Sequence, residues 1–96
     1  MLVRTSVGTY EIITNHKDAF NKIKFEARYV DASFDKFTYL VGDISANILR
    51  LKGFSDDEKS IHSYNKIPDY IAESINPGSQ FYVLKRIVDN DAGNER

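Results

Sequence analysis

The segment from Tyr39 to Phe54 concentrates the side chains best suited to holding a ligand: Tyr-Leu-Val-Gly-Asp-Ile-Ser-Ala-Asn-Ile-Leu-Arg-Leu-Lys-Gly-Phe. Arg50 and Lys52 stand two positions apart, which on a strand separates them by about 7 Å and points both to the same face. A guanidinium and an ammonium so placed make donors for a phosphate or a carboxylate. Asp43 falls at the expected turn and Tyr39 on the opposing strand, where its ring can stack on a base or another ring. Near the carboxyl end Lys85 and Arg86 must point to opposite faces of one strand, so one of them, taken as Lys85, can join that surface. Tyr39, Asp43, Arg50, Lys52 and Lys85 are therefore the candidate ligand-binding residues. The competing reading is an amphipathic strand whose polar face meets only water.

Other chemistry is poorly supplied. His16 and His62 have neither helical nor hairpin spacing, and with no Cys in the chain no cysteine zinc site or thiol nucleophile can form. Asp56-Asp57-Glu58 has oxygens for a hard cation but lacks the alternating ligands and turn Gly of a calcium loop. The glycines at 8, 42, 53, 78 and 93 make no Gly-x-Gly-x-x-Gly and no phosphate loop. Asp31 and Asp35 sit in a stretch of loop or helix-end character and read as exposed. The expectation is a protein without cofactor or metal that is not an enzyme.

The whole chain sets the setting for these residues. Ninety-six residues, 42% hydrophobic and 28% charged, suit one small soluble domain. Thirteen Lys plus Arg against fourteen Asp plus Glu give a formal charge of −1, so affinity for nucleic acid or an acidic partner must come from a local basic face. No apolar run is long enough to span a membrane and the amino end has no secretory pattern, which points to a cytoplasmic location.

The elements that must carry the site follow from periodicity. Leu2 to Arg4 and Thr9 to Thr14 read as a hairpin. Asn15 is placed as the cap of a helix from about His16 to Tyr29, with Phe20, Ile23, Ala27 and Val30 as its buried stripe and Phe25 off centre. Phe37 to Val41 and Ile48 to Leu51 form a second hairpin across a turn at Gly42 to Asn47. Ser55 to Ser63 reads as a mobile surface loop, and Pro68 opens a two-turn helix that ends before Asn76-Pro77-Gly78. Gln80 to Val88 is apolar on both faces, as in a central strand. The expected order is β-β-α-β-β-α-β: an α+β domain over residues 1–88, a mostly antiparallel sheet with two helices packed on one face. Residues 89–96 are expected to be a disordered acidic tail.

The string Tyr-Leu-Val-Gly-Asp with Leu-Arg-Leu-Lys-Gly-Phe, behind a helix carrying Phe20-Asn21, Phe25-Glu26 and Arg28-Tyr29, resembles the YutD-like family of small proteins from Firmicutes. The resemblance runs from about Tyr10 to Ile87 and includes the ending Phe81 to Ile87. It implies a cytoplasmic bacterial α+β protein without an established activity, and it brings no catalytic residues. Where members carry a Gly- and aromatic-bearing turn after Gly-Asp, roughly Trp-Gly-Tyr-Gly-Gln, this chain has Ile44-Ser45-Ala46-Asn47. The transcriptional-regulator label of some relatives finds no helix-turn-helix here. The expected function is a binding or regulatory module built on the hairpin 37–54, with a protein or nucleic acid as partner, no membrane, and a monomeric or weakly dimeric state. The alternative is an interaction subunit using exposed aromatic surface, with Phe25, Phe34 and Phe54 as its rings, and a small enzyme ranks third because no catalytic constellation is recognisable.

Overall fold

The computed structural model of the chain describes residues 1–87, so the expected tail at 89–96 lies outside the described residues. Strands β1 (Leu2–Thr5) and β2 (Gly8–His16) form the first hairpin, β3 (Tyr39–Ser45) and β4 (Ile48–Phe54) the second, and β5 (Phe81–Arg86) lies between them. The sheet order is β1-β2-β5-β3-β4, with every neighbouring pair antiparallel. The central place of β5 matches its apolar character on both faces. The second turn is tighter than the expected six-residue break. Only Ala46 and Asn47 lie outside the strands, both with positive φ, 53° and 65°, as a two-residue primed turn requires. Gly42 and Asp43 therefore belong to β3, not to the turn.

The helix expected from His16 is shorter, because β2 runs on through His16 and Lys17 and Asp18 take left-handed conformations, with φ of 59° and 53°. Helix α1 spans Lys22–Arg28, and its cap is Asn21, whose side chain accepts the Lys24 N–H. Asn15 instead accepts the Phe20 N–H at 2.9 Å. A single turn, α2 (Asp31–Phe34), follows, and α3 (Ile67–Ser74) starts behind a 3-10 turn at Tyr64–Lys66 with Pro68 in its first turn. The 55–63 segment is pinned rather than open: Ser55 N–H donates to His62 O at 2.6 Å and Tyr64 N–H to Ser55 O at 2.7 Å.

The two main helices do not share a face. Phe25 and Tyr29 of the α1 region pack with Tyr10, Leu40, Tyr82 and Leu84, whereas Ile67 and Ile75 of the α3 region pack with Val41, Phe54 and Val83. Leu40 and Val41 are sequence neighbours, as are Val83 and Leu84, so they point to opposite sides of the sheet. A sheet apolar on both sides needs cover on both, which corrects the one-face expectation. The α1 stripe was also out of phase: Phe25 is fully buried, while Ile23 is 77% exposed and Val30 54%. Phe25 meets the rings of Tyr10, Phe20, Tyr29 and Tyr82 with centroids 5.3–6.4 Å apart. Gly42 makes room for Tyr82, since a Cβ there would lie 2.6 Å from the ring's Cε1 and hydroxyl.

Candidate functional site

The register of β5-β3-β4 brings all five candidate residues to the face that carries α3. Tyr39 lies opposite both Lys85 and Phe54, Val41 opposite Lys52, and Asp43 opposite Arg50. Within that face they divide into two groups.

The first group is an ion pair. Asp43 is 1% exposed, and its Oδ2 accepts from Arg50 Nη2 at 2.7 Å and Nε at 3.2 Å. The guanidinium also donates to the Ser74 carbonyl at 3.3 Å, so it joins the end of α3 to the sheet. Its hydrogen bond and ion pair with Asp43 raise its pKa further above the ordinary guanidinium value. Arg50 is therefore committed to a neighbouring carboxylate and not free beside Lys52, as the spacing alone suggested. Asp43 is a buried strand residue and not an exposed turn contact. Cross-strand pairing over a two-residue turn was the signal available for this pair, because it sets position 43 against position 50.

The second group is open to solvent on one side. Tyr39 stacks on Tyr64 with centroids 5.3 Å apart and planes 17° from parallel. Lys85 Nζ lies 5.9 Å from the Tyr39 ring centre, a cation–π contact. Lys52 and Lys85 have no ion-pair partner among the described residues. Acidic groups border the same patch: Glu11 is the β2 register partner of Lys85, and Glu58 accepts from the Tyr64 hydroxyl at 3.4 Å. The charge of Glu58 raises the Tyr64 pKa. The patch thus mixes stacked phenols with both signs of charge.

On the opposite face, a network that the sequence reading missed binds the end of β5 to the α1–α2 connection. Arg86 donates to the Tyr29 hydroxyl at 2.5 Å and to the Val7 carbonyl at 3.3 Å, and Tyr29 donates to Asp35 at 2.6 Å. The guanidinium lies 5.1 Å from the Tyr10 ring centre. Burial raises the Tyr29 pKa, with the Asp35 hydrogen bond adding to it. No sequence spacing links positions 29, 35 and 86, so nothing in the string pointed to this group. The rings proposed for an exposed aromatic surface are also accounted for. Phe25 and Phe54 are buried, at 0% and 3%, and Phe34 packs against the α1 core. All twelve aromatic side chains are buried or half-buried, so Phe25, Phe34 and Phe54 do not together form an open aromatic surface.

Comparison with known proteins completes the description. Residues 4–85 match a family model described as "Putative antitoxin YutD-like". The chain belongs to the YutD-like family. It is 42% identical over 82 residues to the Bacillus subtilis protein described as "Putative antitoxin YutD", covering 81% of this chain and 89% of that one. The fold is similar to the solution NMR structure of the yutD protein from B. subtilis, with a TM-score of 0.73 and 37% identity over 91% of this chain and 82% of that one. The resemblance carried by the hairpin string and the last strand is thus confirmed, as is the α+β class of this YutD-like protein. Among the described residues no helix is long and apolar enough to cross a membrane.

Proposed function

We propose that this YutD-like chain is a non-enzymatic binding module of the cytoplasm that acts by holding a partner protein on the α3-bearing face of the 37–54 hairpin. Tyr39 supplies a stacking surface, Lys52 and Lys85 supply the cations, and the Asp43–Arg50 pair holds the strand that presents them. The observation that carries this reading is the convergence of Lys52, Lys85 and the Tyr39–Tyr64 stack on one face, from three strands and a distant turn. Glu11 and Glu58 at its border favour a protein surface over a nucleic-acid backbone, which calls for positive charge without acidic neighbours. A family described as antitoxin fits a role exercised through a partner.

The test is affinity capture by the full chain from cytoplasmic extract, with and without nuclease, using wild type and the Lys52→Ala/Lys85→Ala variant. The reading expects a protein retained after nuclease treatment and lost with the folded double variant. Capture that disappears with nuclease would replace the protein partner with a nucleic acid. Capture unchanged by the double variant would remove this face from the account.

A further inference from the structure

We propose that the open edge of β4 takes up one extended segment of a partner protein, alternating acidic and apolar residues, as a sixth strand of the sheet. This goes beyond the reading above: the main chain is held at the sheet edge rather than on the α3-bearing face, and Lys52 is the one cation the two share. β4 ends the sheet, with β3 on its inner side. The two-residue turn decides which of its backbone groups are free. Ser45 and Ile48 flank the turn as a hydrogen-bonded pair, so bonding alternates from there, and Leu49 and Leu51 direct N–H and C=O away from β3. Neither residue makes a backbone hydrogen bond outside that ladder among the described residues. An extended chain can be bound there by its main chain alone.

Side chains beside this edge define what the chain must be. A groove runs between β4 and the α1–α2 segment in two parts of about 300 and 230 Å³. Val30, Phe34 and Leu51 line the first, and Ala27, Ile48 and Leu49 the second. Val30 and Ile48 are 54% and 58% exposed, so apolar surface is open to water at both. A strand added to β4 would turn every second side chain into this groove and the others toward the face of Arg50 and Lys52. The first set must be apolar and the second acidic.

The charges around the edge agree. Arg28 borders both parts of the groove and Lys24 the second. Nearby carboxylates are engaged elsewhere: Glu26 accepts the Ser6 N–H, Asp35 the Tyr29 hydroxyl, and Asp43 the Arg50 guanidinium. Asp31, beside Val30 in sequence, begins α2. A second copy of this chain is a poor occupant. Two β4 edges paired antiparallel about Leu51 set each Lys52 against an Arg50 whose guanidinium is already bound to Asp43, so Lys52 gains no carboxylate from a second copy. Self-pairing thus leaves Lys52 unmatched, whereas an acidic strand matches Lys52, Lys24 and Arg28, which have no ion-pair partner among the described residues.

The probe is a capped eight-residue peptide alternating Glu and Val, titrated into the isotope-labelled full chain and followed by amide NMR. The expected result is shifts and slowed exchange at Leu49 and Leu51, none at β1, and no response to the peptide with every Glu replaced by Lys. Ala27→Trp, at an exposed helix position, fills the groove and should abolish the shifts. Lys24→Glu/Arg28→Glu should weaken binding about fivefold, the scale of one or two exposed charge contacts. Lys85→Ala, on β5 two strands from the edge, should leave the Leu49 and Leu51 shifts in place, whereas Lys52→Ala should weaken binding. No shift at millimolar peptide, equal shifts at β1, or binding indifferent to Ala27→Trp would overturn the proposal. Concentration-dependent shifts at β4 without peptide would overturn it in favour of self-pairing.

Discussion

Arg50→Ala removes the only cation that reaches Asp43 among the described residues. That carboxylate is 1% exposed; its Oδ2 takes both Arg50 bonds, at 2.7 and 3.2 Å, and its Oδ1 has no partner among the described residues. Without the guanidinium, a charged group remains in the sheet beside Phe81 with nothing to compensate it. Breaking a fully buried pair from one side costs about 3–5 kcal/mol, whereas an exposed pair contributes about 0.2–1 kcal/mol. The Arg50 side chain is 48% exposed, so water replaces part of what it provides, which places the expected loss at ~2 kcal/mol. For a domain of this size that lowers Tm by about 8–16 °C. Asp43→Asn keeps an acceptor for Arg50 and leaves the cation half in water, so its loss should be about 1 kcal/mol or less. Urea denaturation of both variants beside wild type, with slopes compared, measures the two losses. If Asp43→Asn proves the more damaging change, or Arg50→Ala stays within about 0.5 kcal/mol of wild type, the pair does not hold the strand as argued.

Three further outcomes follow from the core. Phe25→Ala should cost about 3–5 kcal/mol because it empties the centre of the α1-side core, while Ile23→Ala, two residues away and 77% exposed, should stay within about 0.5 kcal/mol by the same denaturation assay. Tyr82→Phe removes a buried hydroxyl that has no partner among the described residues and should be neutral or stabilising, whereas Tyr29→Phe breaks bonds to Arg86 and Asp35 and should cost about 1–2 kcal/mol. The pKa values of Tyr29 and Tyr82 are raised, in both mainly by burial. The unfolded chain therefore releases phenol protons first, and stability should be whole below about pH 10 and fall above it. Denaturation midpoints across that range should show a shallower alkaline decline in Tyr82→Phe; an equal slope would contradict the burial of that phenol.

The sequence made both hairpins legible because strand alternation and turn residues are local signals. It also made β5 legible as a central strand, since Phe81 to Leu84 leaves no polar face. Helix α1 was misplaced for a physical reason. Counting apolar residues favours Phe20, Ile23, Ala27 and Val30, yet two turns over a twisted sheet bury what Phe25 and Tyr29 reach, and the strand before it extends through His16. The α1 and α3 regions were assigned one face because strand order is non-local, although a β5 apolar on both sides already required two layers. In the candidate site, Lys52, Lys85 and Tyr39 share the face their parity implied. The burial of Asp43 depended on a two-residue turn that the Gly42 to Asn47 composition disguised, and the Arg86–Tyr29–Asp35 network depends on contacts between segments far apart in the chain.

Hydrogen exchange of the full chain, free and bound to its captured partner, tests the binding surface most directly. The account predicts slowed exchange across residues 39–54 and at 85 and 86, with the β1–β2 hairpin unchanged. Protection confined to β1, β2 or the outer side of α1, with the 39–54 hairpin exchanging as in the free chain, would contradict it.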